Sequence, residues 1–293
     1  CHEHRLSATP TLNLPKAVRR PASTLEGWYG PPRPFDYMAE VQPVFDCYCV
    51  ECHDYGRGPG DKLNLAGDLG LAFNTSYCDL RAKSSVRWHA DAPDAPKPLV
   101  KAVDDGPPQV LEPYAWGSHR SRLVDAMLDG HANRELDRES IERVITWIDM
   151  NGVYYGRYAS AYPDNPFGRS PLTQAELDLL KALTGRDVGS QQLNMTRSQV
   201  SFARPEMSPC LAELKQKDEA KYEEALAIVR EGAARIEERP RADMPGFKLV
   251  REIEMHQRDK YNAQVAAETD AREAILAGAK HYESERTEEE PSS

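Results

Sequence analysis

The sequence predicts a mainly α-helical fold whose first half is interrupted by long irregular loops and whose second half is a helical extension. Three observations carry this. Several segments repeat apolar residues at the helical spacing and begin and end on capping residues. The stretch 54–117 is rich in Gly, Pro and Asp and keeps no period. A block of cysteines and a histidine at 47–53 stands where a cofactor could supply the core that those loops lack.

The elements follow in chain order. Residues 1–34 contain six prolines and no sustained period, so they read as an extended connector. "FDYMAEVQPVFDCYC" reads as a short helix running into the cysteine block. After the irregular stretch, "SHRSRLVDAMLDG" predicts a helix with Ser118 as N-cap, Leu123 and Met127 on one face, and Gly130 as the stop. "DRESIERVITWIDMNG" places Ile141, Val144, Ile145 and Ile148 on one face and ends at Asn151-Gly152. Tyr154, Tyr155 and Tyr158 follow, to pack or to line a pocket. "YPDNPFGRSP" marks a boundary near 160–170.

Beyond it, "LTQAELDLLKALTG" carries a capping box of Thr173 and Glu176, with Leu172 as staple and Gly185 as stop. Ser208 and Pro209 open another helix. Tyr222, Ala225, Leu226 and Val229 share one face of the next, and a charged helix runs over 248–283. The acidic tail 285–293 reads as disordered. The expected regions are therefore 1–34, 35–165, 166–284 and 285–293.

The chain of 293 residues carries a formal net charge of −10. That balance argues against a nucleic-acid partner and against docking on an anionic membrane. No apolar run approaches the roughly 18–20 residues of a membrane span.

Cys49, Cys52 and His53 read C-x-x-C-H. Two thiols at this spacing can add to the two vinyl groups of haem, and the next His is then held beneath the iron as an axial ligand. The expectation is a cytochrome c-like haem domain over 35–165. Zinc is the rival, but the chain shows no second ligand pair at the usual spacing. A thioredoxin-like redox pair would need a βαβ context, and plain structural cysteines are the remaining alternative.

One His leaves the sixth iron position to be assigned. His131, after the Gly130 stop, and His119, in the first turn of the preceding helix, are the candidates. His89, Met127 and an open position stand behind them. Cys47 and Cys78 are either a disulfide or two free thiols, and Cys210 reads as a core residue. Arg239 and Arg241, in a Pro-bounded loop, are either haem-propionate partners or surface arginines. Asp149 and Tyr155 are candidate acid/base groups with ordinary structural alternatives.

The blocks "EVQPVFDCYCVECHDYG", "GDKLNLAGD", "FNTSY", "GSHRSRLVDAMLDGHANRELDRESIERVITWIDMNGVYYGRY" and "RPRADMPGF" resemble bacterial cytochrome c proteins related to the hydrazine synthase alpha subunit. The resemblance covers about 25–280. It implies an exported protein, a periplasmic or equivalent location, and a haem region that follows other domains. It also implies an earlier haem motif ending in C-H-E, whose tail the opening Cys1-His2-Glu3 matches. Cys1 and His2 would then belong to a first haem, with His2 on its iron; a lipoprotein start would explain the Cys but not the following residues.

Three functions stay open. One is electron transfer to a redox partner protein or to other domains of the same chain. Another is a haem enzyme with an open iron acting on small nitrogen compounds. The third is a ligand-binding module with structural haem, in which the Tyr/Trp-rich segment 114–158 holds the ligand.

Overall fold

The computed structural model describes residues 27–31, 33–82, 99–102, 110, 112–189 and 196–279. The chain divides into two compact units, Cys1–Pro34 and Phe35–Ser293. Little of the first unit is described. In it the Trp28 and Tyr29 rings meet edge to face at 5.5 Å, and the Arg33 guanidinium lies 5.4 Å from the centre of the Trp28 ring. Cys1, His2, His89 and the tail 285–293 lie outside the described residues.

The second unit is mainly helical. Its helices are α1 (Tyr37–Glu40), α2 (Gln42–Tyr48), α3 (Gly58–Lys62), α4 (Thr75–Ala82), α5 (Arg122–Leu128), α6 (Arg138–Asp149), α7 (Gln174–Thr184), α8 (Leu214–Lys217), α9 (Glu219–Glu238) and α10 (Glu252–Leu276). Among the described residues the only extended pairing is an isolated antiparallel bridge between Leu69 and Asn74.

The first half differs from expectation in detail. The helix before the cysteine block is two short helices, with Asp36 capping α1 through the Met38 amide at 3.0 Å and Pro43 in the first turn of α2. The irregular stretch contains α3 and α4. No amphipathic stripe announces α4, because Thr75 to Leu80 are all buried. Its start is set by Asn74, whose side-chain oxygen accepts from the Tyr77 amide at 3.0 Å. Ser118 opens a short 3₁₀ turn rather than capping a helix, and α5 begins at Arg122.

The stop at Gly130, with φ 73°, matches expectation, as does the end of α6 at Asn151 and Gly152, both at positive φ.

The second half keeps closer to local rules. Thr173 and Glu176 form the reciprocal capping box of α7, and Gly185 ends it at φ 68°. Tyr222, Ala225, Leu226 and Val229 are all buried on α9. The helix expected from Ser208 is replaced by 3₁₀ turns at Pro205–Met207 and Pro209–Leu211 before α8. Two prolines four residues apart remove backbone donors and oppose a longer helix there. The last helix is shorter than 248–283, and Glu254 is its one buried residue.

Two apolar clusters form the core. The first gathers Tyr37, Phe45, Leu80, Val144, Trp147 and Ile148, and the second Leu172, Leu180, Leu211, Leu226 and Val229. The first lies before the boundary near 165 and the second mostly beyond it, joined by Leu71 from the first half, and both lie in one compact unit. Arginines of the second half tie it to the first. Arg241 is fully buried, paired with Asp243 at 2.7 Å, and donates to the Gly70 and Leu71 carbonyls at 2.6 and 3.1 Å. Arg204 binds both Asp54 and Asp68, and Arg197 binds Asp79. The propionate role considered for Arg241 therefore does not hold, since its donors are committed in the core. Arg239 instead stacks on Tyr162 at 5.2 Å.

Candidate haem-binding cleft

The C-x-x-C-H block continues the end of α2 as a turn. The Cys49 amide donates to the Phe45 carbonyl at 2.8 Å, and the His53 amide donates to the Cys49 carbonyl at 2.9 Å. This helical spacing puts the Cys49 and His53 side chains on one face. The loop then folds back: the Leu65 amide donates to the His53 carbonyl at 2.8 Å, and a His53 ring nitrogen, Nδ1, lies 2.9 Å from the Leu63 carbonyl. A carbonyl can only accept, so Nδ1 carries the proton and the Nε2 lone pair is left free.

Close packing fixes the loop behind His53. A Cβ at Gly60 would lie 1.9 Å from the Asp54 carbonyl oxygen, so α3 can approach the loop only through a glycine. Asp54 is held from outside by Arg204, with two bonds of 2.8 and 2.6 Å, and that pairing keeps its carboxyl below the usual range. Nothing in the sequence marks Arg204 for this task.

In front of the block lies a cleft enclosing about 800 Å³ of space between the atoms, part of it open to solvent. Cys49, Cys52 and His53 form one wall. His131, Ala132 and Arg134 form the facing wall, and leucines 63, 65, 99, 123 and 136 with Met127 complete an apolar lining. Arg134 is ion-paired with Glu51 of the block.

The His53 and His131 rings face each other across the cleft, their centres 6.2 Å apart and their planes inclined at 43°. A metal bonded at about 2 Å to one nitrogen of each of two imidazoles separates the ring centres by roughly 6 Å.

The other candidates are placed elsewhere. His119 is exposed and meets the Tyr114 ring at 4.8 Å. Asp149 accepts from the amide and hydroxyl of Ser118 at 2.7 and 2.9 Å, as a cap of that turn. Tyr155 is half-buried, donates to the Ala72 carbonyl and lies beneath the Arg169 guanidinium, while Tyr158 is fully exposed. Neither acid/base candidate lines the cleft. Cys47 is exposed and Cys78 buried, both free, so the structure does not join them; Cys210 is buried in the second cluster.

The alternatives for the block lack support in this geometry. Burial pushes the Cys49 thiol up to about 11, whereas a redox-active thiol needs a lowered value. Among the described residues no three His, Cys, Asp or Glu side chains gather to hold a metal ion. A flat macrocycle that brings its own equatorial nitrogens needs only two axial ligands, two thiols at its edge and apolar walls. The residues of the cleft fit that group.

No family model, curated protein or solved structure matches the chain. The reading of the cleft therefore stands on its chemistry. No described helix is long and apolar enough to cross a membrane.

Proposed function

We propose that this chain is a covalent c-type haem-binding domain that works in electron transfer. The observation that carries the reading is the facing pair of imidazoles, 6.2 Å between ring centres, in the same cleft as the Cys49 and Cys52 thiols. Cys49 and Cys52 would hold the haem covalently, and His53 and His131 would bind its iron. Bound haem supplies a one-electron couple at its iron.

The chain's own residues do the rest. The Leu63 carbonyl holds the proton on Nδ1 of His53 and so orients Nε2 into the cleft. The leucines and Met127 exclude water from the macrocycle faces. Exposed Cys52 lies on the open side, where a partner protein or another domain can approach closely enough to exchange electrons.

With this chemistry we place the domain in an exported compartment, in a multihaem protein similar to the hydrazine synthase alpha subunit.

The test is the visible spectrum of the denatured protein after acid-acetone extraction. Haem colour stays with the wild-type chain and is lost from a Cys49→Ser, Cys52→Ser double variant. Colour extracted from the wild type would end the reading.

A further inference from the structure

We propose that His131 is a displaceable ligand, which leaves the haem iron and yields its place to a small neutral π-acceptor molecule of the carbon monoxide or nitric oxide class. The inference rests on the haem reading above and adds a binding function to it. It comes from the unequal way in which the two facing imidazoles are held.

His53 is fixed at every level. Its amide, its carbonyl and its ring Nδ1 are all hydrogen-bonded, and Gly60 and Arg204 hold the residue that follows it. His131 is exposed, and among the described residues no hydrogen bond holds its ring. Its backbone is part of a tight turn in which Gly130, Ala132 and Asn133 have φ of 73°, 55° and 59°. Glycine and asparagine tolerate that region, but alanine does not, because its Cβ crowds the backbone. Only two backbone bonds close the turn, Asn133 to Gly130 and Arg134 to His131, both 3.1 Å. A strained turn at an exposed residue, with no hydrogen bond to the ring, loses little when the ring swings out of the cleft.

The space that the ring leaves determines what enters. Its walls include Leu99, Leu123 and Met127, and the charge of Arg134 is committed to Glu51. An anion would meet no free cation there, whereas a small neutral molecule meets an apolar wall. The exchange is balanced as a substitution: the bond between the His131 nitrogen and iron breaks, and the lone pair of the incoming molecule forms the new one. No electron is transferred, because the leaving lone pair stays with the imidazole.

Carbon monoxide added to the dithionite-reduced, haem-loaded full chain is the test. Without it, the spectrum is low-spin. With it, the wild type converts completely to the adduct, at a rate that levels off as carbon monoxide increases, because departure of His131 becomes limiting. In His131→Ala the rate rises in proportion to carbon monoxide and ends at the same adduct spectrum.

A coloured, low-spin wild type that ignores carbon monoxide overturns this inference and leaves the haem reading standing. Adduct spectra that differ between wild type and variant also overturn it, because some ligand other than His131 would then have left. Haem colour lost on acid-acetone extraction overturns both readings before any gas is added.

Discussion

The two halves of the core are built on different principles. The second cluster is mainly aliphatic and none of it lines the cleft, and its main helices α7 and α9 begin on side-chain caps that hydrogen-bond their first-turn amides. The first cluster is aromatic, built from helices mostly of four to eight residues, and one side of it opens into the cleft. Its rings meet edge to face or stacked, with Tyr37 at 5.1 Å from Trp147 and 5.4 Å from Tyr154. Short helices do not stand alone in water. The first half therefore depends on what surrounds it: arginines reaching across from the second half and, in our reading, a cofactor filling the cleft.

The largest effect should come from cutting the bond between the halves. Arg241→Ala leaves Asp243 buried without its cation and removes donors from the Gly70 and Leu71 carbonyls. Breaking a buried ion pair in this way costs about 3–5 kcal/mol. Urea unfolding should show that loss, with hydrogen exchange accelerated in both halves; acceleration confined to one half would refute the coupling.

Next come core truncations, one in each half. Leu226→Ala in the second cluster should cost about 2–5 kcal/mol and leave the haem absorption of the folded protein unchanged. Leu123→Ala, on the wall of the cleft, should cost about 2 kcal/mol or more and also shift the haem bands. Equal spectral responses would erase the distinction between a core that lines the cleft and one that does not.

Gly60→Ala should cost about 1–3 kcal/mol, the range for overpacking, because the Asp54 backbone must move. It should also lower haem incorporation during expression, which an equally destabilising change in α9 should not do.

The smallest effect belongs to pH. Arg235 holds the Glu176 carboxyl at about 2, below its ordinary 4.5. A depressed carboxyl stabilises the fold fully above pH 4.5, and that contribution is lost as pH falls toward 2. Glu176→Gln should flatten the fall in thermal midpoint across that window. No change in slope would mean that the pair contributes nothing measurable.

Legibility in the sequence followed the same division. Thr173, Glu176, Gly185 and the buried face of α9 were readable because caps and the 3.6-residue period act over a few neighbouring residues. The proposed haem role of Cys49, Cys52 and His53 also starts from the sequence, since three residue types in fixed order suggest it. The hidden helix α4 was not readable, because a helix buried on every side has no polar face to set a period. That His131 rather than His119 lines the cleft was readable only as a preference, drawn from the place of His131 after the Gly130 stop. Both are histidines beside a helix end, and only the folded path of the Gly130 turn brings one of them over the cleft.

The sequence alone determined the caps and stop of α7, the buried face of α9 and which residues could hold a haem, because these are local matters of backbone capping, period and side-chain chemistry. Tertiary structure alone decided that Arg204 and Arg241 serve the fold of the first half, and that a tightly anchored His53 faces a loosely held His131. These pairings join residues 78 to 171 positions apart. Only the packed chain sets such distances, and no local rule carries them.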